Sequence, residues 1–512
     1  MRPRISFKSD SSFFEKLAIG VAGAESVRRE LESLGHSIAE LERGALETKL
    51  WREVKRKRVR IPDLVCTRCG QRIESRAKTR PELSMSHSLS DATRSWDSGL
   101  VPGDWIAFPV ISSAFRRDWV QGRLVGTNSY WRERRWAHWR AQGAINVFDV
   151  ASLLGSLPKA KPAKGVTEGS ESQVYWPAVF ATQDGVVTRV DAETIRYYGD
   201  SGRGERRVRL TGAGREALAP VVALGDSVRS YQVLAASASP LSAEDLTCRA
   251  DLNEETIAGM LRSRRESVRY TGCRLAKLVR TDSVRQTMHD LARDPAEDLY
   301  TRLEARSYLV TVAGADAREE FGATLSELSE APWRLESIVT LADTPAPSAR
   351  ELLKAVLANR DNPLFLRSAA AWALGRFPER DAAAALVASF ADVDRDLRQE
   401  AVAALVSAGT GALEPLLEGL SERSGDVAAG CFEVLRRLDT APVQVYMDLA
   451  ETSRAPEWAV WLLASLPRHQ VGTRIAAWQM NRPDLHFAIS VLWSFLESWV
   501  SETWERNPDP QP

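Results

Sequence analysis

The sequence predicts a multidomain chain with an α/β front, a small β module in the middle and an α-solenoid behind. Three observations predict it. The first hundred residues read as helix, strand and tight hairpin. Between about 174 and 236 the apolar residues come in short runs broken by Asp-Gly and Gly-Asp pairs. From 250 on, Leu278, Leu309, Leu341, Leu374, Leu405, Leu435 and Leu466 recur at intervals of 30 to 33 residues, the signature of a stacked helical unit.

At the front, AESVRRELESLG places Val27, Leu31 and Leu34 on one helical face and ends at Gly35. HSIAELERG follows as a strand candidate. RIPDLV and QRIESRAK flank the turn Thr67-Arg68-Cys69-Gly70, so they are expected to pair as an antiparallel hairpin. DWIAFPVI supplies a further strand. This front is assigned to 1–155. SLPKAKPAKGVTEGSES lacks periodicity and reads as a linker over 156–173. VYWPAVFA, GVVTRVD, ETIRYY, RRVRL and SYQVLAA are the strands of a module over 174–236, with hairpin signals at Asp184-Gly185 and Gly225-Asp226. Their order resembles the barrel-sandwich hybrid modules of lipoyl carriers. No lysine stands at a hairpin tip to take such a cofactor, so a structural or adaptor role is expected.

Behind lie stretches such as YTGCRLAKL, LRSAAAWAL and LRQEAVAAL, alternating with ARELLKAVLAN and DAAAALVASFA. Each is one helix of a pair that cannot bury its apolar face alone. This half, 237–470, resembles the HEAT repeat family, which implies a scaffold that binds a protein partner. Asp-rich turns such as ADVDRD read as helix N-caps. Over 471–512, Trp493, Trp499 and Trp504 mark a capping helix and tail.

The composition bounds the function. Lys and Arg total 68, as do Asp and Glu, but residues 1–300 hold 48 basic against 38 acidic side chains and 301–512 hold 20 against 30. A polyanion is therefore expected at the front and a protein partner at the acidic back. The basic run Lys55, Arg56, Lys57 and Arg58 suits phosphates, and Arg132, Arg134 and Arg135, interleaved with Trp131 and Trp136, suit phosphates and stacked bases. The competing reading is a solvated strand face and Arg–Trp packing. Five cysteines make no disulfide framework, and no apolar run of about 18 residues suggests a membrane span. A cytoplasmic address is expected.

The hairpin carries the chemistry. Pro62-Asp63 on one strand and Glu74, Arg76 and Lys78 on the next resemble the core of the PD-(D/E)xK nuclease superfamily. The resemblance implies Asp63 and Glu74 as ligands of Mg2+ or Mn2+, Arg76 or Lys78 as the cation at the site, and Glu25 on the first helix, with Glu15 second, as a joining acid. DNA is the implied substrate. The pattern departs from acid-x-Lys, since Arg76 holds the lysine's place and a guanidinium cannot lose its proton. A non-catalytic scaffold with a degenerate nuclease fold is the alternative. Cys66 and Cys69 supply half of a closed zinc site. Cys248, Cys273 and Cys431 form no second pair in the sequence, and His87 is the nearest imidazole along the chain. Zinc is not expected unless a fold neighbour or a second chain completes the set, and the knuckle reads as a turn.

Overall fold

The computed structural model describes residues 11–42, 60–113, 139–156, 158–167, 170–200, 204–210, 218–326, 329–421, 425–438, 443–452, 456–463 and 468–491. The chain divides into two compact units, Met1–Gly314 and Ala315–Pro512. Lys55, Arg56, Lys57, Arg58, Arg132, Arg134, Arg135 and the C-terminal Trp493, Trp499 and Trp504 lie outside the described residues.

In the first unit α1 spans Ser11–Ser33. It stops at Gly35, whose φ of +89° suits only glycine without strain. It covers one face of a five-stranded sheet ordered β1 (Ile38–Glu40), β2 (Leu64–Cys66), β3 (Arg72–Ser75), β5 (Trp105–Ser113), β6 (Trp139–Asp149). β3 and β5 run parallel, and the other neighbours run antiparallel. Val27 and Leu31 of α1 pack on Leu64, Ile73, Trp105, Ala107 and Val147. Alternation sends Ile106, Phe108 and Phe148 to the opposite face. There they meet Leu83 and Met85 of β4 (Leu83–His87) together with Trp96, Val174 and Trp176. α1 comes so close at Gly23 that an added Cβ would lie 2.5 Å from the Cβ of Ala77.

The expected linker is instead a hairpin. β7 (Lys159–Thr167) and β8 (Ser170–Trp176) pair antiparallel, and β8 pairs with β4. Val174 and Trp176 anchor β8 in the core. β7 takes the edge of that sheet, where Lys and Pro are tolerated because one side of the strand need not pair.

The middle module has two sheets, ordered β12 (Glu205–Arg209), β11 (Thr194–Gly199), β10 (Gly185–Val190), β14 (Ser227–Val228) and β13 (Ala219–Pro220), β15 (Val233–Ala236), β9 (Ala178–Phe180). They enclose Val187, Ile195, Tyr197, Leu210, Leu234 and their neighbours. Gly225 turns the chain as expected, with φ +88°. Asp184-Gly185 joins no hairpin, since β9 and β10 belong to different sheets. Asp184 accepts the N–H of Ser230 at 2.6 Å instead.

Helix pairs begin at residue 254. The first unit holds Glu254–Leu261 with Glu266–Leu278, and Arg285–Arg293 with Leu299–Thr311. Glu304 is fully buried between Lys277 at 2.7 Å and Arg274 at 3.2 Å. The second unit holds Ala317–Leu325 with Ala331–Leu341, Pro347–Ala358 with Leu364–Leu374, Arg380–Ala388 with Arg395–Ala408, Leu413–Leu420 with Gly425–Leu435, and Val443–Thr452 with Pro456–Leu463. Leu309, Leu341, Leu374, Leu405 and Leu435 are buried as the interval predicts, whereas Leu278 is 38% exposed. Asp394 caps its helix through the N–H groups of Asp396 and Leu397. The stretch Arg395–Leu420 has the length and mean hydropathy, 1.2, of a membrane span, but Gly409 breaks it at φ +65°. Leu397, Ala401, Leu405 and Leu416 are fully buried within it.

Candidate active site

The hairpin of β2 and β3 turns where the sequence indicates. Gly70 N–H bonds the carbonyl of Cys66 at 2.9 Å, and Gly70 has φ +75°. Leu64 pairs with Ile73 on the face under α1. One step further from the turn, Asp63 and Glu74 therefore stand on the other face.

Asp63 bonds across the hairpin to the strand that carries Glu74. Oδ2 of Asp63 accepts the N–H of Ser75 at 2.8 Å. Arg76 forms an ion pair with Glu74. Glu42, just past β1, donates its N–H to the Asp63 carbonyl at 3.2 Å, and its charge acts on both acids. Burial pushes the Asp63 carboxyl well above the usual range, and the negative charges of Glu74 and Glu42 push it further. Glu74 is also raised, by burial first, although Arg76 and Arg60 oppose the shift. The result is a cluster of three acids, Glu74 buried and Asp63 and Glu42 half-buried, set against the cations Arg76 and Arg60.

The structure brings Asp63, Glu74 and Arg76 together and distributes the other expected residues elsewhere. Glu25 is held by Arg28 at 2.6 Å and Arg29 at 2.9 Å on its own helix. The i, i+3 and i, i+4 spacings of α1 explain this local capture. The Nζ of Lys78 donates to Ser84 Oγ at 3.0 Å and lies 3.8 Å from Glu82. Its backbone extends β3 by bonding Pro109 O and Ile111 N. The cation on Glu74 is thus Arg76. The side chain of Glu15 lies outside the described residues.

Two features escaped the sequence. Glu42 lies just past the strand Ile38–Glu40 and enters only because Leu41 and Glu42 both bond Asp63. Beside Glu74 on the same face, Arg72 is buried against Asp104 at 3.0 Å and bonds the Gly99 carbonyl at 2.7 Å. Burial raises Asp104 to about 6 in spite of Arg72.

The knuckle is also not isolated. His36 and Cys248 stand beside Cys66 and Cys69, with one ligand atom from each within 4.8 Å of the others. The expected absence of zinc rested on finding only two ligands. The fold brings two more candidate ligands beside them, His36 just past α1 and Cys248 in the segment before the first helix pair. His87, the imidazole nearest in sequence, accepts the N–H of Trp96 at 3.3 Å.

Residues 319–406 match the family of HEAT repeats. No curated protein matches the chain. Among solved structures the chain is similar to the E. coli YibA protein, at 14% identity over 48% of this chain and 93% of that one, with a TM-score of 0.25. It is also similar to an engineered protein, at 16% identity over 44% and 71% with a TM-score of 0.22. A third is a designed armadillo repeat protein in complex with peptide (KR)4, at 15% identity over 43% and 94% with a TM-score of 0.18. The C-terminal region is a helical solenoid with HEAT repeats.

Proposed function

We propose that this chain is a HEAT-repeat scaffold for a protein partner, whose front unit is a metal-dependent phosphodiesterase acting on DNA. The scaffold reading rests on the family match over 319–406 and on the ability of stacked helix pairs to present an extended surface. The acidic excess of residues 301–512 suits a partner with a basic face.

The observation that carries the catalytic reading is the placement of Asp63 and Glu74 on one sheet face, both raised by burial and by nearby negative charge, with Arg76 beside them. Such a donor set fits a hard divalent cation, which prefers carboxylate oxygen. Asp63 and Glu74 would hold Mg2+ or Mn2+, with Glu42 close by. Bound there, the ion would supply an activated water and neutralise charge on the phosphate. Arg76, which stays protonated, would stabilise the developing negative charge rather than move a proton. The basic stretches 55–58 and 132–135 would hold the polyanion.

A cleavage assay on single- and double-stranded DNA with Mg2+ or Mn2+ tests this. Cleavage is expected with either metal and not with chelator. Asp63→Asn and Glu74→Gln should abolish it. Arg76→Ala should cost orders of magnitude, as loss of a transition-state partner does, and Lys78→Ala should be mild. Binding should weaken steeply with salt, and neutralising Arg132, Arg134 and Arg135 together should flatten that slope.

The second reading is a non-catalytic scaffold. The ion pair between Arg76 and Glu74 favours it, because that guanidinium already satisfies one of the two acids. Wild-type protein that cleaves nothing with any divalent metal, while Asp63→Asn changes no binding, would support this reading instead.

A further inference from the structure

We propose that His36, Cys66, Cys69 and Cys248 form a closed structural zinc site. It ties the end of α1 and the β2–β3 turn to the segment that leads into the first helix pair. The geometry suits the ion before it arrives. Thiolates about 2.3 Å from a tetrahedral zinc stand about 3.8 Å apart, and a thiolate and an imidazole nitrogen about 3.5 Å apart. Here Cys66 Sγ lies 3.9 Å from Cys248 Sγ, and Cys69 Sγ lies 3.6 Å from His36 Nδ1. The cysteines are free thiols.

The surroundings orient each ligand. His36 Nε2 is 2.8 Å from the Leu246 carbonyl. That bond fixes the proton on Nε2 and leaves the Nδ1 lone pair facing the thiols, which is how metal-bound imidazoles are held. The Arg68 N–H donates to Cys66 Sγ at 3.4 Å, a bond that favours the thiolate. The backbone laces the same three segments. Cys248 N–H bonds the Leu34 carbonyl at 3.2 Å, Thr67 N–H bonds Ser37 at 2.8 Å, and Leu252 N–H bonds Arg68 at 3.0 Å. A Cβ on Gly70 would touch Leu252 and Met260, so the knuckle rests on the helix Glu254–Leu261. With one imidazole and three thiolates, no coordination position is left for water. This donor set selects a soft tetrahedral ion over Mg2+ or Ca2+.

The test uses the full chain, purified without chelator from zinc-supplemented cells. Elemental analysis should find one zinc per chain. Exchange into Co2+ should give a thiolate-to-metal charge-transfer band and the strong visible bands of tetrahedral cobalt. Cys248→Ser should weaken metal binding by at least the roughly 10–100-fold that outer-shell partners alone command. Because that variant could fail to fold, His36→Cys serves as the second. It should retain one metal and shift the cobalt bands toward a four-thiolate spectrum. Folded wild type that holds no zinc and gives no such cobalt spectrum overturns the proposal. So does a wild type whose zinc is retained at full affinity by both Cys248→Ser and His36→Ala.

Discussion

Asp63 accepts the Ser75 N–H across the hairpin, so this acid supports the fold as well as the candidate chemistry. Arg72 and Asp104, beside Glu74, have a cleaner pH signature. Asp104 is raised to about 6 by burial, against the pull of Arg72. The folded form therefore keeps this proton longer than the unfolded chain does. The contribution of Asp104 to stability falls as pH climbs from the usual aspartate range through 6, and it is constant above that. Carboxyl NMR should place the midpoint of Asp104 near 6. Arg72→Met should move it higher and cost about 3–5 kcal/mol near neutral pH, the penalty for leaving one member of a buried pair alone. A midpoint in the ordinary aspartate range would contradict the burial argument. At this scale the sequence was legible where chemistry and strand period coincide, as at Asp63, Glu74 and Arg76. It was illegible for Glu25 and Lys78, because nearby Arg28, Arg29, Glu82 and Ser84 compete for them at short range.

Among the elements, the hairpin and the end of α1 were legible because their signals are local, whereas the helix begins at Ser11, well before the stretch from Ala24 that the sequence reading marked. Val27 and Leu31 mark the buried stripe, and Gly35 and Gly70 mark the ends. The strand Lys159–Thr167 was missed because edge position, not composition, decides whether Lys and Pro may sit in a sheet. The close approach of α1 to the sheet at Gly23 gives an element-scale test. Gly23→Val places a branched side chain where Ala77, Pro109 and Ser75 already stand. It should destabilise by about 1–3 kcal/mol, the usual cost of overpacking. Chemical denaturation would measure it, and an unchanged midpoint would mean that α1 does not pack as described.

Across the whole molecule, the repeat was legible because one leucine per unit returns to the core, as Leu341, Leu374 and Leu405 do. The four-ligand cluster was illegible for the opposite reason. Cys66 and Cys248 are 182 residues apart, and only the finished fold brings them together. The two compact units should respond to different injuries. Leu405→Ala removes a fully buried side chain from the second unit and should cost about 2–5 kcal/mol there. A strong chelator should lower the melting of the first unit, since metal binding is folding energy for the segments it joins. Calorimetry separates the two. A chelator effect confined to the second unit would contradict the assignment of the cluster.

The bond from the Ser75 amide to Asp63 has one more consequence. A cation that draws Oδ2 of Asp63 toward itself must share that oxygen with the Ser75 amide, or take it outright. Occupancy is then written into the solvent exchange of a single proton. Adding Mg2+ should change the deuterium uptake of the Ser75 amide and leave the Thr67 amide, bonded to Ser37 on the far side of the turn, at its original rate. The hairpin would thus report on a bound ion, whether or not any bond in a nucleic acid is broken.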